Sequence, residues 1–174
     1  MDAAGHYRKL LQLGRDAFLA AAAPAVLVRF RHDPADPISV GSTTASLDDA
    51  GPGSSDDTLP FGKDMPLEVD LEIFPLAKKP GASFPDRITI GRTSNNDVVI
   101  ADPSVSRLHA YVKHTGDAWS VTDAGSKNGS WLRGIALDAR KELALPASAV
   151  LRFGEVDVTF YLARDLFAVL GGTA

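Results

Sequence analysis

Short strand-like segments separated by turn sequences fill residues 67–162 and most restrict how this chain can fold. Apolar and acidic residues alternate strictly from Leu67 to Ile73, which is typical of a half-buried strand. Turn sequences follow at 94–97, 115–117 and 125–129. The further strand candidates are Arg87–Ile90, Asp97–Ile100, His109–His114, Trp119–Thr122, Trp131–Leu132, Val150–Phe153 and Val156–Leu162. Because no helical periodicity interrupts them, they predict an antiparallel β-sandwich or barrel.

Both ends of the chain have helical patterns. Apolar residues from Tyr7 to Ala22 recur at spacings of three and four, and Pro24 should end that helix. Val26 to Phe30 is a short extended candidate. We expect residues 1–30 to form a helical extension that packs on its own domain; the alternative is a partner-binding helix, which includes self-association of two chains. Residues 163–174 predict a short C-terminal helix near the first one, with Gly171 as its C-cap.

Residues 31–66 have the composition of a linker. They contain five of the eleven prolines, and positions 33–72 carry ten acidic residues against the single Lys63. Such a composition buries little apolar surface, so we expect a flexible acidic linker. The predicted organisation is therefore a helical extension at 1–30, a linker at 31–66, a β domain at 67–162 and a helical tail at 163–174.

Composition excludes several classes of protein. The formal net charge is −4, and residues 86–162 balance nine basic against nine acidic residues, so we expect no nucleic-acid binding. The chain has no cysteine, which excludes disulfides and thiolate metal sites. No apolar run approaches the roughly 18–20 residues that span a bilayer, so no membrane contact is expected. Basic residues before the apolar stretch 18–28 raise the alternative of a signal peptide, but Arg15 and Asp16 interrupt it. The Ala-rich composition suggests a bacterial cytoplasmic protein.

Enzyme and cofactor motifs are absent. Neither glycine-rich nucleotide loop, G-x-G-x-x-G or G-x-x-x-x-G-K-[ST], occurs in the sequence. His109 and His114 are five residues apart on one predicted strand, so they face opposite sides and cannot share a metal ion. Ser106 and His109 could join an aspartate in a hydrolytic triad, but no G-x-S-x-G turn supports this. We therefore expect no catalysis, no cofactor and no metal.

Three motifs at strand edges stand out in this region. They are Gly91-Arg92, then Ser106-Arg107-Leu108-His109, then Ser126-Lys127-Asn128-Gly129-Ser130. Their order and spacing resemble the forkhead-associated (FHA) domain family, and the resemblance covers residues 67–162. It implies an eleven-stranded β-sandwich that binds phosphothreonine peptides through loops at one end.

The resemblance also implies a role for each motif residue. Arg92 would be the main phosphate contact, because a guanidinium meets phosphate oxygens with a planar, charge-assisted fork. Ser106 would donate its hydroxyl to the phosphate, and Asn128 would bond the peptide main chain. Arg107 and Lys127 would add positive charge, although Arg107 could equally be a solvated side chain.

The remaining motif residues would support the site. Gly91 lets the backbone turn before the arginine, and His109 matches a family histidine that braces a loop. Gly129 forms a turn after the asparagine, and Ser130 stands where the family usually has threonine.

The resemblance implies a phosphothreonine-dependent binding module, with a threonine-phosphorylated protein as its ligand and a Ser/Thr protein kinase upstream. The alternative is a structural adaptor or secretion-machinery component that uses the fold without phosphate. Thr43, Thr44 and Thr58 in the linker are candidate phosphorylation sites that could dock on the chain's own domain. We expect the linker to enter the sandwich at the end away from the binding loops, so that its longer reach favours Thr43 and Thr44.

Overall fold

The computed structural model describes residues 2–31, 70–82 and 84–172. These residues form three helices and eleven strands. The helices are α1 (Ala3–Gln12), α2 (Arg15–Ala21) and α3 (Ala163–Val169). The strands are β1 (Ala25–Arg31), β2 (Asp70–Pro75), β3 (Ile88–Gly91), β4 (Val98–Val99), β5 (Ala110–Thr115), β6 (Ala118–Asp123), β7 (Ser130–Leu132), β8 (Ile135–Ala136), β9 (Leu143–Ala144), β10 (Val150–Phe153) and β11 (Val156–Leu162).

The strands form the two sheets of a β-sandwich. One sheet has the order β2-β1-β11-β10-β7-β8 and the other the order β4-β3-β5-β6-β9. Inward-facing side chains of both sheets, among them Leu27, Ile90, Val121 and Phe160, form one buried core. The pairing is antiparallel except between β3 and β4, which run parallel with Ile90 opposite Val98. The predicted β-sandwich is therefore confirmed, and its one parallel pair arises because the loop 92–97 carries the chain back to run beside β3 in the same direction.

Strand β1 corrects the domain boundary placed at residue 30. It lies inside the six-stranded sheet between β2 and β11, with Ala25 opposite Leu162. Leu27 packs in the core between the sheets, whereas Val26 and Val28 pack against the helices on the outer face. Both faces of the strand are buried over its first four residues, which explains why these four are all apolar. The sandwich therefore includes residues of the predicted N-terminal extension.

The helices cover the outer face of the six-stranded sheet. The predicted N-terminal helix is two helices, because Gly14 at φ +93° interrupts it. Tyr7, Phe18 and Phe167 share a buried cluster with β1 and β2, and the Phe18 and Phe167 rings meet edge to face with 5.3 Å between centroids. The apolar face of α1 is thus buried on its own sheet, which removes the surface on which helix-mediated self-association was predicted. None of these helices is long and apolar enough to cross a membrane.

Residues 32–69 connect β1 to β2, and both ends of that connection are fixed. Arg31 and Asp70 are cross-strand neighbours. On the same strand, the Arg29 guanidinium is 3.7 Å from the carboxylate of Asp102, in the β4–β5 loop. The segment therefore leaves the sandwich at the end that carries the three motif loops. The prediction that it enters at the opposite end is wrong, because β1 pairs with β2 instead of belonging to a separate extension.

Candidate functional site

Three loops meet at one end of the sandwich: the β3–β4 loop (92–97), the β4–β5 loop (100–109) and the β6–β7 loop (124–129). Ser106 connects them. Its carbonyl accepts a 3.0 Å hydrogen bond from the main-chain N–H of Arg92. Its hydroxyl oxygen accepts a 3.0 Å bond from the main-chain N–H of Lys127. Residues of the three sequence motifs, up to 35 positions apart, are thereby brought into contact.

One hydrogen bond orients the side chain of Arg92 and leaves its other donors unused. Its Nε donates a 3.0 Å hydrogen bond to the carbonyl of Val105. Its two Nη groups have no partner among the described residues, and the residue is exposed. The guanidinium therefore presents two NH₂ groups to solvent in a fixed direction beside Ser106.

His109 is fully buried and ties two loops together. Its Nδ1 accepts a 2.9 Å hydrogen bond from the main-chain N–H of Ser106. Its Nε2 lies 2.9 Å from the carbonyl of Gly129, so the ring is the Nε2–H tautomer that donates there. Burial lowers the pKa of His109 below its ordinary value, which keeps the ring neutral at pH 7. The histidine holds Ser106 against the β6–β7 loop.

Asn128 is exposed at the tip of the β6–β7 loop. Its Nδ2 donates a 2.8 Å hydrogen bond to the carbonyl of Ser104. Its Oδ1 has no partner among the described residues. Ser104 is held in turn by its hydroxyl, which donates to Asp102 at 2.7 Å and accepts from the N–H of Glu155 at 2.9 Å. The amide oxygen of Asn128 is thus available to a main-chain N–H of a bound peptide.

The carboxylate of Asp123 holds the β6–β7 loop in its conformation. This buried carboxylate accepts hydrogen bonds from the Ser126 hydroxyl at 2.6 Å, from the Ser130 hydroxyl and from the N–H of Gly125 at 2.8 Å. Burial alone would raise the pKa of Asp123, but these hydrogen bonds outweigh it and hold the pKa below its ordinary value. Ser130 uses its hydroxyl here, so the serine supplies the hydrogen bond that a threonine would make.

Asn96 joins the loop of Arg92 to the loop of Ser106. It is almost fully buried, and its Nδ2 donates to the carbonyls of Arg107 at 2.6 Å and of Thr93 at 2.9 Å. Gly91 lies beside this contact. A Cβ at position 91 would be 2.1 Å from the Arg107 carbonyl oxygen, so only glycine allows the two loops to approach this closely.

The residues named in the sequence analysis therefore converge, and three residues that position them were missed. Arg107 and Lys127 are exposed on two of the loops. The sequence predicts Asn96 only as part of a turn and assigns no role to Ser104 or Asp123. Part of the signal was visible, because Asp-x-Ser at 102–104 is a pattern in which the carboxylate bonds the backbone two residues later. Thr43, Thr44 and Thr58 lie outside the described residues.

Residues 88–154 match the family model of the FHA domain. An FHA domain-containing protein of Arabidopsis thaliana is 32% identical over 78 residues, 44% of this chain and 19% of that protein. The oxoglutarate dehydrogenase inhibitor of Corynebacterium jeikeium is 31% identical over 84 residues, 46% of this chain and 58% of that protein. The chain thus spans less than two thirds of these relatives.

The similar solved structures include that of Mycobacterium tuberculosis EmbR in complex with a low affinity phosphopeptide. It is 27% identical, with a TM-score of 0.41, over 44% of this chain and 20% of that one.

Proposed function

We propose that this chain, whose residues 88–154 match the family model of the FHA domain, is a phosphothreonine-dependent protein-binding module in Ser/Thr kinase signalling. It acts by binding and not by catalysis, in the cytoplasm, and a Ser/Thr protein kinase creates its ligand. The observation that carries the proposal is the exposed Arg92 side chain: its Nε is fixed to the Val105 carbonyl, neither Nη group has a partner among the described residues, and its main-chain N–H bonds the Ser106 carbonyl.

The hydrogen-bonding capacity of these groups matches a phosphorylated peptide. A phosphothreonine carries about −1.5 to −2 charges at pH 7 and three strong acceptor oxygens. The Nη groups of Arg92 supply two donors to those oxygens. The Ser106 oxygen already accepts from the Lys127 N–H, so its own proton is available to donate to the phosphate. Asn128 offers its amide oxygen to the peptide backbone.

Threonine should be preferred to serine. The family resemblance implies a small apolar recess beside the phosphate that would accept the threonine γ-methyl group. One buried methyl is worth about 0.8 kcal/mol, or about fourfold in affinity, and phosphoserine also loses more rotamer freedom on binding. A generic anion site would not distinguish the two.

The test is calorimetric titration of the whole chain with an oriented phosphothreonine-peptide library and then with single peptides from it. Each selected sequence is also measured with phosphoserine and with unmodified threonine. We expect binding of the phosphothreonine form, at least fourfold weaker binding of phosphoserine and none of the unmodified peptide. Equal binding of unmodified peptides would overturn the proposal in favour of a phosphate-independent adaptor.

A further inference from the structure

The carboxylates near the three loops are turned inward and used to hold the structure. Asp97 is buried, and it accepts bonds from Lys78 Nζ at 2.7 Å and from the N–H of Thr89 at 2.9 Å. Asp102 pairs with Arg29 and accepts from the hydroxyl of Ser104.

The third carboxylate, that of Asp123, is enclosed by the β6–β7 loop itself. Glu155, on the β10–β11 turn, interacts electrostatically with Arg152 and forms no ion pair with a cation of the three loops. Among the residues that the structure describes, the acidic groups therefore leave the positive charges of the loops uncompensated.

The positively charged residues of the same loops lie at the surface. Arg92, Arg107 and Lys127 are all exposed, and none forms an ion pair within residues 2–31, 70–82 and 84–172. They also lie close together, because Ser106 is bonded to the backbone of Arg92 and of Lys127 and precedes Arg107 in the chain. By contrast, Arg29, Lys78, Arg87, Lys113 and Arg152 each have a carboxylate partner.

The charge of a phosphothreonine does not balance this cluster. Three full positive charges face about −1.5 to −2 charges from the phosphate, so at least one positive charge is left over. An exposed cation next to a bound dianion is best matched by a further anion on the same ligand, since charge complementarity selects partners at the rim of an interface. We propose that the ligand is an acidic phosphothreonine peptide, in which a carboxylate near the phosphothreonine is selected by Arg107 and Lys127. This inference rests on the proposed function.

The expected effect is moderate and depends on salt. Exposed ion pairs typically change affinity by about two- to fivefold, and a like charge opposes binding by a similar factor. A glutamate replaced by lysine at the responsive peptide position should therefore weaken binding by about tenfold at low salt. The difference should shrink as salt shortens the Debye length from about 10 Å to about 3 Å.

The experiment uses the whole chain and a panel of phosphothreonine peptides with neutral flanks. Each peptide carries glutamate or lysine at one of the three positions on either side of the phosphothreonine, and each is titrated at low and at high salt. We expect glutamate to be preferred at one or more positions. Arg107→Glu or Lys127→Glu should abolish or reverse that preference.

Arg133→Glu is the matched control. Arg133 is an exposed cation on the β7–β8 turn, at the opposite end of the sandwich, where its N–H bonds the carbonyl of Val150. The Arg133→Glu substitution changes the net charge by the same amount as Arg107→Glu, and the preference for glutamate peptides should persist in this variant.

Three results would overturn the inference, and they are distinguishable. If the glutamate and lysine forms of every phosphothreonine peptide bind with affinities that are equal within twofold, the acidic preference is refuted and the proposed function stays intact. Failure of all phosphothreonine peptides to bind would refute both. A preference that Arg133→Glu removes as completely as Arg107→Glu would show that net charge, and not the two loop cations, is responsible.

Discussion

The side-chain amide of Asn96 donates a 2.6 Å hydrogen bond to the main-chain carbonyl of Arg107. The same nitrogen donates to the carbonyl of Thr93, and the side chain is almost fully buried. One amide thus fixes the distance between the loop that carries Arg92 and the loop that carries Ser106. Because a buried amide of this kind has no substitute donor, the site geometry depends on it.

Asn96→Asp should weaken phosphopeptide binding in a pH-dependent way. At pH 7 the introduced carboxylate has no proton to donate and faces carbonyl oxygens, and the loss of a buried hydrogen bond costs about 1–3 kcal/mol. Burial raises the pKa of such a group, so acidification to about pH 5 should protonate it and restore one donor. We expect the ratio of variant to wild-type dissociation constants to fall toward one as the pH is lowered.

Asn96→Ala controls this experiment. Alanine has no titratable group, so the affinity of this variant for the phosphopeptide, relative to wild type, should stay low at both pH values. Peptide phosphate titrates identically with all three proteins, which is why the ratio is the quantity to measure. Recovery of the alanine variant at low pH would contradict a positioning role for the amide.

Phosphothreonine-peptide binding should be sensitive even to a conservative substitution of Arg92. Truncating one partner of a charge-assisted pair typically costs about 2–5 kcal/mol, so Arg92→Ala should weaken phosphothreonine-peptide binding by about 30-fold or more. Arg92→Lys keeps the charge but cannot bond Val105 and present a fork at the same time, so it should also bind poorly. Calorimetry on both variants measures this, with Arg133→Ala as the matched surface control. Unchanged affinity in a folded Arg92→Ala protein would refute the site.

The buried histidine should make stability depend on pH. Burial lowers the pKa of His109 in the folded state, so the unfolded chain binds the proton more readily. The contribution of the neutral ring to the free energy of unfolding is complete above the ordinary histidine pKa of about 6.5. It is lost as the pH falls through the lower pKa that His109 has in the folded protein. The free energy of unfolding should therefore decrease from pH 7 toward pH 5.

His109→Gln isolates that effect, because glutamine has no titration in this range. Urea unfolding at several pH values should give a shallower pH dependence for the variant than for wild type. The amide of glutamine can replace only part of the ring's two contacts, so the variant should also be less stable at pH 7. Parallel curves for the two proteins would show that another group causes the pH dependence.

Among the linker threonines, Thr58 should provide the better ligand. In sequence, Thr43 is 12 residues after Arg31 and Thr58 is 12 residues before Asp70, so each tether reaches up to about 40 Å and length does not favour either. Asp56 and Asp57 directly precede Thr58, whereas Thr43 and Thr44 have neutral neighbours. We expect a phosphothreonine-58 peptide to bind more tightly than a phosphothreonine-43 or phosphothreonine-44 peptide.

The whole chain should then compete with external ligand once it is phosphorylated in the linker. A tethered phosphothreonine experiences an effective concentration on the order of millimolar, which is enough to exclude a weak external peptide. Site mapping by mass spectrometry, followed by titration before and after kinase treatment, measures this. Unchanged affinity after complete phosphorylation would rule out docking in cis, and Thr58→Ala should restore binding if that residue is responsible.

The local pattern was sufficient for most of the sandwich and for the order of the motifs. Val150–Phe153 and Val156–Leu162 were predicted with their exact bounds, because alternation of apolar and polar residues depends only on which face of a strand is buried. The two-residue strands β8 and β9 were missed, since so short a segment has no period to detect. The residues of the three motifs were found because loop residues with special chemistry stand out from strand patterns.

Only the tertiary structure decided where β1 belongs and what positions the site. The pairing of Ala25 with Leu162 joins residues at opposite ends of the sequence, and no local period records such a partner. Whether a carboxylate such as Asp123 faces solvent or holds a loop depends on which backbone N–H groups the fold brings to it. The same is true of Asn96, whose neighbours in sequence indicate a turn and whose function depends on a carbonyl eleven residues away. Long-range packing sets these contacts, because a buried polar group must find its hydrogen-bond partner wherever the fold supplies one.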